Sequence, residues 1–297
     1  MKLPASPQGP FAVRSEDFYV GRAIPAPYRI VGGLHGTFLV NENDYYIGRA
    51  MQLYGEYSEY EWQVLSAFAG SGRDAIEVGA NIGTHTVPLA RLLGSRGRRL
   101  VAVDAQRAVF QLLCANLALN GLLNVQAENV ACSDVSGWVT FDEPDYASLG
   151  NFGAVEMKAS GGAQRVRAIP LDELVPASMD IGLVKLDVEG FEQRVLEGAR
   201  STIKRCRPVI YLENDRPQNS RSLIEMLWSM NYEMWWHRPW LYRPDNFRGN
   251  AENIYGEVVS LNMLAAPKEM RLNVDGAAEE VTDSSSHPLL VTTGQSR

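Results

Sequence analysis

Residues 74–83 read DAIEVGANIG, and Asp104 lies 21 residues beyond the last of these glycines, at the end of the apolar run LVAV. The run Asp74–Val78 predicts a short buried strand, and Gly79 and Gly83 bracket a tight turn into a helix. Glycine suits this turn because it adopts positive φ and lets a ligand approach the backbone. A strand, a glycine turn, a helix and a second strand ending in an acid together predict half of a nucleoside-binding fold.

The spacing of the glycines and the acid before them restrict the choice of nucleoside. A dinucleotide fingerprint is G-x-G-x-x-G, which seats a pyrophosphate on a helix N-terminus. Here the spacing is G-x-x-x-G, and Glu77 precedes the first glycine. A carboxylate at this place repels phosphate and suits a cationic amino group. S-adenosylmethionine (SAM) offers an amino group, a sulfonium and a ribose for Asp104 to hold. The alternative is a purely structural turn with an incidental acid.

Composition and charge are those of an ordinary globular protein. The 297 residues are 45% hydrophobic and 21% charged, which is enough for a sizeable core. The net charge of −7 argues against nucleic acid as a partner. No apolar run approaches the roughly 18 residues of a membrane span, and the start, MKLPASPQGP, lacks the apolar core of a signal peptide. We therefore expect a cytoplasmic protein, with Cys114, Cys132 and Cys206 as core residues of a reducing compartment.

Apolar runs and helical patterns alternate along the chain and predict a parallel sheet with both faces covered. Strands or a hairpin are expected over 28–55, and short strands in an irregular part over 133–170. Ser58 and Glu61 have the spacing of a capping box at the start of the first main helix. The main strands are predicted at 74–78, 99–104, 124–131, 182–187, 209–213, 232–237 and 257–264, and helices at 107–120, 191–204 and 220–230.

Ligands of such sheets bind at the carboxyl ends of the strands, so these ends are the predicted site. Polar groups stand at six of them: Glu77–Gly79, Asp104, Asn129, Asp187–Glu189, Glu213–Asp215 and His237.

The chain resembles the FkbM-type methyltransferases, a branch of the class I SAM-dependent enzymes. The stretches that carry the resemblance are IEVGANIGTHTVPLA (76–90), VAVDA (101–105), NLALNG (116–121), NVACSD (129–134), IPLDEL (169–174) and VKLDVEGFEQRVLEGA (184–199). The resemblance implies an α/β fold of the class I methyltransferase, Rossmann-like type, with a seven-stranded, mostly parallel sheet whose last strand is antiparallel. We expect an N-terminal arm and small strands over 1–55, a methyltransferase domain over 56–266, and a tail over 267–297 that is disordered from 275.

The resemblance and the glycine turn predict SAM as cofactor. Asp104 should hold the ribose hydroxyls, although it could instead cap a helix, and Glu77, Gly79 and Asn81 should face the amino-acid tail. Asn129 is expected at the adenine edge or in a plain strand-end turn. Many relatives have an aromatic residue and a proline after the acid, where this chain has Ala105 and Gln106. The full predicted cofactor set is Glu77, Gly79, Ala80, Asn81, Gly83, Asp104, Ala105, Asn129 and Asp187.

Asp187, Glu213 and His237 are the predicted catalytic residues. Asp187 could orient the acceptor, take its proton or simply organise the turn around Gly190. His237 is a histidine beside a candidate substrate loop, and a neutral imidazole suits removal of a hydroxyl proton; it could equally satisfy backbone groups near the tryptophans. His85 is expected to pack beside the glycine turn, and we expect no role for His35 and His287.

A metal site is a further possibility. Asp187 and Asp215 end consecutive strands, which resembles the metal-binding arrangement of catechol-type O-methyltransferases. Carboxylate and amide oxygens suit Mg²⁺, which would lower the pKa of an acceptor hydroxyl. The predicted ligands are Asp187, Asn214 and Asp215.

The sequence therefore predicts a SAM-dependent methyltransferase that methylates a hydroxyl on a small molecule, sugar or natural product. The alternatives are an N-methyltransferase that acts on a peptide amide, a nicotinamide-dependent oxidoreductase, and a non-catalytic protein on the same fold. The expected partners are an acceptor (small molecule, saccharide or peptide) and, through the N-terminal arm, a second copy of the chain, but neither nucleic acid nor a membrane.

Overall fold

The structure of the chain is a computed structural model that describes residues 24–272, 274 and 279–290. Most of the N-terminal arm predicted for 1–27 lies outside these residues. Within the described part of the chain, no helix has both the length and the apolar character needed to span a bilayer.

Strands and helices alternate along the chain. The strands are β1 (Tyr28–Gly33), β2 (Gly36–Asn41), β3 (Asp74–Val78), β4 (Leu100–Val103), β5 (Val125–Glu128), β6 (Ala131–Cys132), β7 (Gly137–Phe141), β8 (Gln164–Ile169), β9 (Ile181–Leu186), β10 (Val209–Glu213), β11 (Tyr232–His237), β12 (Asn262–Pro267) and β13 (Glu279–Glu280). The helices are α1 (Ile47–Leu53), α2 (Glu59–Ala69), α3 (Thr86–Gly94), α4 (Arg107–Leu119), α5 (Leu171–Leu174), α6 (Glu192–Glu197), α7 (Arg200–Cys206) and α8 (Pro217–Ser229).

The central sheet has the strand order β13-β11-β12-β10-β9-β3-β4-β5. The pairs from β5 to β10 are parallel. β12 runs antiparallel to both of its neighbours, β10 and β11, and β13 is antiparallel to β11. The predicted fold class is confirmed, because the sheet is mostly parallel and its last long strand is antiparallel. The two-residue β13 adds an eighth strand at the edge.

Helices cover both faces of the sheet because strands such as β3 and β9 are buried along their whole length. On one face, Leu196 of α6, Ile203 of α7 and Leu223 of α8 belong to the core. On the other face, Leu65 of α2 and Leu89 of α3 do so. This arrangement leaves the carboxyl ends of the parallel strands as the place where a ligand can enter.

The N-terminal hairpin β1–β2 is held on α4 by two asparagines. The Leu39 amide donates to Asn116 Oδ1 at 2.6 Å, and the Thr37 amide donates to Asn120 Oδ1 at 3.0 Å. The hairpin agrees with the prediction for 28–55, but the run DYYIGRAMQLYG contains helix α1 and no strand. The cause is Asp44, whose carboxylate accepts hydrogen bonds from the first free amides of α1.

A small second sheet, β6-β8-β7, fills the predicted irregular part. β7 and β8 pair antiparallel, and β6 joins β8 in parallel. The long segment between β7 and β8 returns to the carboxyl edge of the central sheet, where residues 151–157 contribute to the site described below.

Two element boundaries differ from the prediction. The helix expected over 191–204 is two helices, α6 and α7, which break at Gly198, where a side chain would collide with the Ser133 carbonyl oxygen. The last long strand begins at Asn262 rather than at 257, because its partner β10 ends at Glu213, the residue that pairs with Asn262.

Two single-residue predictions are also wrong. Ser58 has φ +50°, and its hydroxyl donates to Glu61 Oε1 at 2.7 Å, so it does not cap α2. Cys132 and Cys206 are buried as expected, but Cys114 is exposed on α4.

The C-terminal segment 279–290 packs against the domain, whereas the sequence predicts disorder from 275. β13 pairs with the edge strand β11, and the Val281 amide donates to the Met234 carbonyl at 2.8 Å. His287 is 2% exposed, and its Nε2 lies 2.9 Å from the Asn214 carbonyl oxygen. His287 therefore helps to hold this segment on the domain. Residues 275–278 and 291–297 lie outside the described part of the chain.

Candidate active site

A cavity of about 480 Å³ lies at the carboxyl edge of the central sheet, where β3, β4, β9 and β10 end. Seven carboxyl side chains and two basic side chains line it. The predicted residues in its lining are Glu77, Gly79, Ala80, Asn81, Asp104, Ala105, Asp187, Glu213 and Asp215. Four other predicted residues, all in the described part of the chain, lie outside the lining: Gly83, Asn129, Asn214 and His237.

The glycine turn brings the ends of three strands together. Gly79 has φ +80°, and a side chain there would collide with the Asp187 carbonyl oxygen at the end of β9. The next turn residue, Asn81, has φ +50°, and its amide donates to Asp104 Oδ2 at 2.8 Å. Gly83 has a different structural role. A Cβ at this position would lie 2.8 Å from Leu113 Cδ1, so the glycine allows α4 to pack against the turn.

Asp104 is buried and already partly engaged by the backbone. Its Oδ1 accepts a hydrogen bond from the Gln106 amide at 2.9 Å, and its Oδ2 accepts the one from Asn81. Burial raises the pKa of this carboxyl to about 6, against the opposing effect of these two bonds. Each carboxylate oxygen retains a lone pair toward the cavity.

Asn129 supports this carboxyl from outside the cavity. Its Nδ2 donates to the carbonyl oxygens of Asp104 at 2.8 Å and of Ala105 at 3.2 Å. The position at the adenine edge predicted for Asn129 is not observed, because its amide holds the strand-end turn.

Lys185 joins two of the predicted acids. Its Nζ lies 3.5 Å from Glu77 Oε1 and 3.4 Å from Asp187 Oδ2. Burial alone would lower the pKa of Lys185, but the charges of Asp187 and Glu77 outweigh it and raise that pKa. Glu77 also accepts a bond from Thr86 Oγ1 at 2.7 Å, and burial raises its pKa. Glu77 therefore faces a lysine of the protein as well as the cavity.

Three carboxyl groups converge at the ends of β9 and β10. Oxygens of Asp187, Glu189 and Glu213 lie within 4.8 Å of one another. Burial, and then the charge of Asp187, raise the pKa of Glu213 to about 11 and that of Glu189 to about 7. Arg216 offsets part of this charge: its Nη2 lies 2.6 Å from Glu189 Oε2 and its Nη1 lies 2.5 Å from Asp215 Oδ2.

The predicted metal ligands do not come together as a set. Asn214 is buried outside the cavity, and its Nδ2 donates to Ser220 Oγ at 2.8 Å and to Met263 Sδ at 3.4 Å. Asp215 is paired with Arg216. The carboxyl groups with spacing suited to a metal ion are instead those of Asp187, Glu189 and Glu213.

His237 does not reach the cavity. β12 lies between β10 and β11, so the end of β11 is one strand further away than the sequence suggests. The His237 Nδ1 lies 2.8 Å from the Tyr211 hydroxyl oxygen, and its ring lines a separate apolar groove with Phe68 and Trp240. Burial lowers its pKa. The predicted catalytic contact of His237 is thus wrong for this structure.

His85, in contrast, packs beside the glycine turn as predicted. It is buried, its Nε2 lies 3.3 Å from the Ser58 carbonyl oxygen, and burial lowers its pKa to about 3.

The Methyltransferase FkbM domain family matches residues 77–235, more than half of the chain. The chain belongs to this family. No curated protein matches it. Among solved structures, the methyltransferase FkbM of Methylobacillus flagellatus KT is 15% identical with a TM-score of 0.45; the match covers 65% of this chain and 43% of that one. This FkbM-family chain therefore spans less than half the length of that protein.

Two further solved structures are similar at low identity. The O-methyltransferase TomG of Streptomyces achromogenes, involved in tomaymycin synthesis and solved with SAM, is 17% identical, with a TM-score of 0.44 and coverage of 71% of this chain and 80% of that one. TYW2 of M. jannaschii, solved with AdoMet, is 13% identical, with a TM-score of 0.44 and coverage of 82% and 87%.

Several cavity residues of this FkbM domain are absent from the sequence prediction. Lys185 and the residues directly before β12 line the cavity and were missed. The missed signal for Lys185 is a lysine inside an otherwise apolar strand. The tryptophans near His237 do not line the cavity: Trp235 and Trp236 are core residues, and Trp240 lines the groove with His237. Other missed residues of the lining include Glu61, Leu241, Val258, Asn262 and Leu289.

Proposed function

We propose that this FkbM domain binds SAM in the cavity at the carboxyl edge and transfers a methyl group to a hydroxyl of a small molecule, sugar or natural product. The observation that supports this most is the combination of the glycine turn with Asp104 in an acid-rich cavity. SAM carries a sulfonium and an ammonium group against a single carboxylate, so a cavity of this charge favours it. A dinucleotide with its phosphates would be repelled.

The residues present fit the parts of SAM. Asp104 would accept hydrogen bonds from the ribose hydroxyls through its remaining lone pairs. The backbone of Gly79 and Ala80 would lie against the amino-acid tail, and Lys185 is the nearby cation for its carboxylate. The small apolar side chains in the lining next to Asp104 would accept the adenine: Ala105, Val130, Ala131 and Cys132.

When bound, SAM supplies a methyl group on a positively charged sulfur. The task of the protein is then to hold the acceptor oxygen in line with this methyl group and to take up the acceptor proton. Asp187 is suited to take up the acceptor proton, because its side chain is 45% exposed and its carboxylate lies 3.4 Å from Lys185 Nζ. Glu213 is better suited to hydrogen-bond the acceptor than to act as its base, because burial and the charge of Asp187 raise its pKa and make the carboxyl harder to ionise.

Calorimetry with SAM and NAD⁺ on the purified chain tests the proposal. We expect micromolar binding of SAM and none of NAD⁺, with SAM binding abolished in Asp104→Ala. Asp180→Ala is the matched control, because Asp180 precedes β9 at the opposite edge of the sheet and forms a surface ion pair with Arg73. Binding of NAD⁺ would favour the oxidoreductase alternative, and unchanged binding of SAM by the Asp104 variant would remove the role of Asp104.

Magnesium stays a prediction, now for Asp187, Glu189 and Glu213. Repeating the SAM titration and a turnover assay with EDTA and with Mg²⁺ decides it: loss of turnover in EDTA, restored by Mg²⁺, supports a metal, and equal turnover in both excludes one. A cytoplasmic location, the absence of a nucleic-acid partner, a homodimer and the N-methyltransferase alternative also stay predictions.

A further inference from the structure

Two buried polar side-chain atoms in the lining of the cavity have no hydrogen-bond partner. They are Glu213 Oε2 and Asn262 Nδ2, and no other buried side-chain nitrogen or oxygen in the described part of the chain shares this condition. Asn262 is only 5% exposed. Buried polar groups are almost always paired, so these two atoms indicate a missing partner.

The two side chains stand next to each other. Glu213 and Asn262 are directly opposite in the antiparallel pairing of β10 with β12, which places both side chains on one face of the sheet. Both residues line the cavity. The Tyr211 hydroxyl interacts with the Asn262 side chain and is hydrogen bonded to His237 Nδ1 at 2.8 Å, but Asn262 Nδ2 itself has no partner with hydrogen-bond geometry. A ligand in the cavity would supply the partner that Glu213 Oε2 and Asn262 Nδ2 lack.

The chemistry of this pair selects a hydroxyl. An amide nitrogen donates, so an ammonium group, which also only donates, would leave Asn262 unpaired. An anionic oxygen only accepts, and it would face the carboxyl groups of Glu213, Asp187 and Glu189. A hydroxyl has one proton and two lone pairs, so it can accept from Asn262 and at the same time bond Glu213 in either protonation state, by donating to an ionised carboxylate or accepting from a protonated carboxyl.

The other residues that line the cavity indicate the character of the part of the ligand that carries the hydroxyl. Apolar and aromatic side chains from four separate segments line the same cavity: Tyr46, Leu241, Val258, Leu261 and Leu289. Seven carboxyl groups against Lys185 and Arg216 make the whole cavity unfavourable for phosphate or carboxylate groups. An uncharged, partly apolar molecule fits both properties.

We propose that Glu213 and Asn262 form a hydroxyl-binding subsite that recognises the acceptor as an uncharged alcohol with an apolar body. The statement that this ligand is the methyl acceptor rests on the proposed function. The subsite itself rests on the two unpaired atoms, on the pairing of Glu213 with Asn262 across β10 and β12, and on the apolar side chains of the lining. Both residues are positioning residues for the acceptor hydroxyl.

A set of three small probes tests the subsite: benzyl alcohol, toluene and benzoate, titrated by NMR into the full chain loaded with S-adenosylhomocysteine. The alcohol and toluene differ only in the hydroxyl, and benzoate adds a negative charge. In the wild type we expect binding of the alcohol and none of benzoate. In Asn262→Leu the affinity ratio of alcohol to toluene should fall by about fivefold, the value of one hydrogen bond.

Gln126→Leu, the same kind of polar-to-apolar change at an exposed position on β5, is the control and should leave the ratio unchanged. Asn262→Ser provides a second variant if the leucine variant does not fold. An unchanged ratio in both Asn262 variants, or binding of benzoate as tight as that of the alcohol, would overturn the subsite. Failure of the wild type to bind S-adenosylhomocysteine would instead contradict the proposed function, and the same probe titration on the protein alone would still test the subsite.

Discussion

Lys185 is a buried charge in a strand whose other residues are apolar, and it lies between two carboxyl groups of the site. Removing one partner of a buried ion pair leaves the other charge without compensation. We expect Lys185→Met to lower the free energy of unfolding by about 3–5 kcal/mol at pH 7. Because burial raises the pKa of Glu77, the loss should shrink as the pH falls toward the ordinary pKa of a glutamate, where Glu77 is neutral.

Chemical denaturation between pH 4.5 and pH 8 (roughly the range that brackets a raised glutamate pKa) measures this loss. The double variant Lys185→Met with Glu77→Gln is the matched control, since it removes both charges and should recover most of the stability. A Lys185 variant that is equally destabilised at every pH would show that lost packing, rather than an unpaired Glu77, is the cause.

Asp104 gives the site a pH dependence of its own. Its folded pKa of about 6 is above the ordinary value, so its contribution to stability is present at low pH and is lost as the pH rises through 6. The affinity for SAM should change with pH in the opposite direction and rise with pH, because the ribose hydroxyls bind the ionised carboxylate of Asp104. We expect SAM affinity to fall about tenfold for each pH unit below 6. Calorimetry across pH 5–7 (roughly one unit on either side of the titration) checks this. Asp104→Asn should bind SAM weakly with a flat profile, and an unchanged slope in that variant would assign the titration to another carboxyl.

Single-residue prediction succeeded where the backbone alone decides the position. Glu77 and Glu213 lie at the carboxyl ends of buried strands, Asp104 and Asp187 directly follow such strands, and the sheet brings all four to one cavity. For Asn129 the structure agrees with the strand-end turn and not with the adenine edge, and His237 lies outside the cavity, because each has a neighbour near a different strand that binds its side chain. Such partners depend on packing in three dimensions, which local patterns do not contain.

At the scale of elements, the turn between β3 and α3 contains two glycines with different purposes. Both have positive φ, so alanine at either costs about 1–2 kcal/mol in backbone strain. Gly79→Ala also drives a methyl group into the Asp187 carbonyl and separates β3 from β9, so we expect no measurable SAM binding. Gly83→Ala meets only the end of the Leu113 side chain, which can move, so SAM affinity should stay within about threefold of the wild type.

Calorimetry with SAM and thermal unfolding on the two alanine variants separate these effects. Leu113→Val added to Gly83→Ala makes room for the new methyl group and should return part of the lost stability. If Gly83→Ala abolished SAM binding while remaining folded, that glycine would belong to the cofactor site and not to the packing of α4.

The elements themselves were predicted best where their patterns are long and apolar. β3, β10 and β11 have the predicted bounds, because each is a short, mostly apolar run with a glycine or a polar residue at or directly after its end. The start of β12 and the break between α6 and α7 were missed. The first depends on the end of its partner β10, and the second on the approach of the Ser133 carbonyl to Gly198. Both causes lie far away in the sequence.

For the whole molecule, the C-terminal segment 279–290 connects the edge of the sheet to the cavity. β13 extends the sheet at β11, His287 lies against Trp236 and the Asn214 carbonyl, and Leu289 lines the cavity. Its polar composition predicts disorder, because the few apolar anchors that hold it have no periodic spacing. An edge strand with free backbone groups offers a place for such a segment to pair.

Val281 is the buried apolar anchor of this segment, and its neighbour Thr282 is exposed. An aspartate at 281 would place a charge in the core, so Val281→Asp should lower the free energy of unfolding by about 3 kcal/mol. We expect a decrease in Tm of roughly 8 °C for a domain of this size. Thr282→Asp adds the same charge at the surface and should leave Tm nearly unchanged.

Limited proteolysis followed by mass spectrometry should show new cleavage within 279–290 in the Val281 variant only. SAM affinity should be retained, because Asp104 and the glycine turn lie on other strands. Equal Tm values and equal cleavage for the two aspartate variants would mean that the segment does not anchor on the domain in solution.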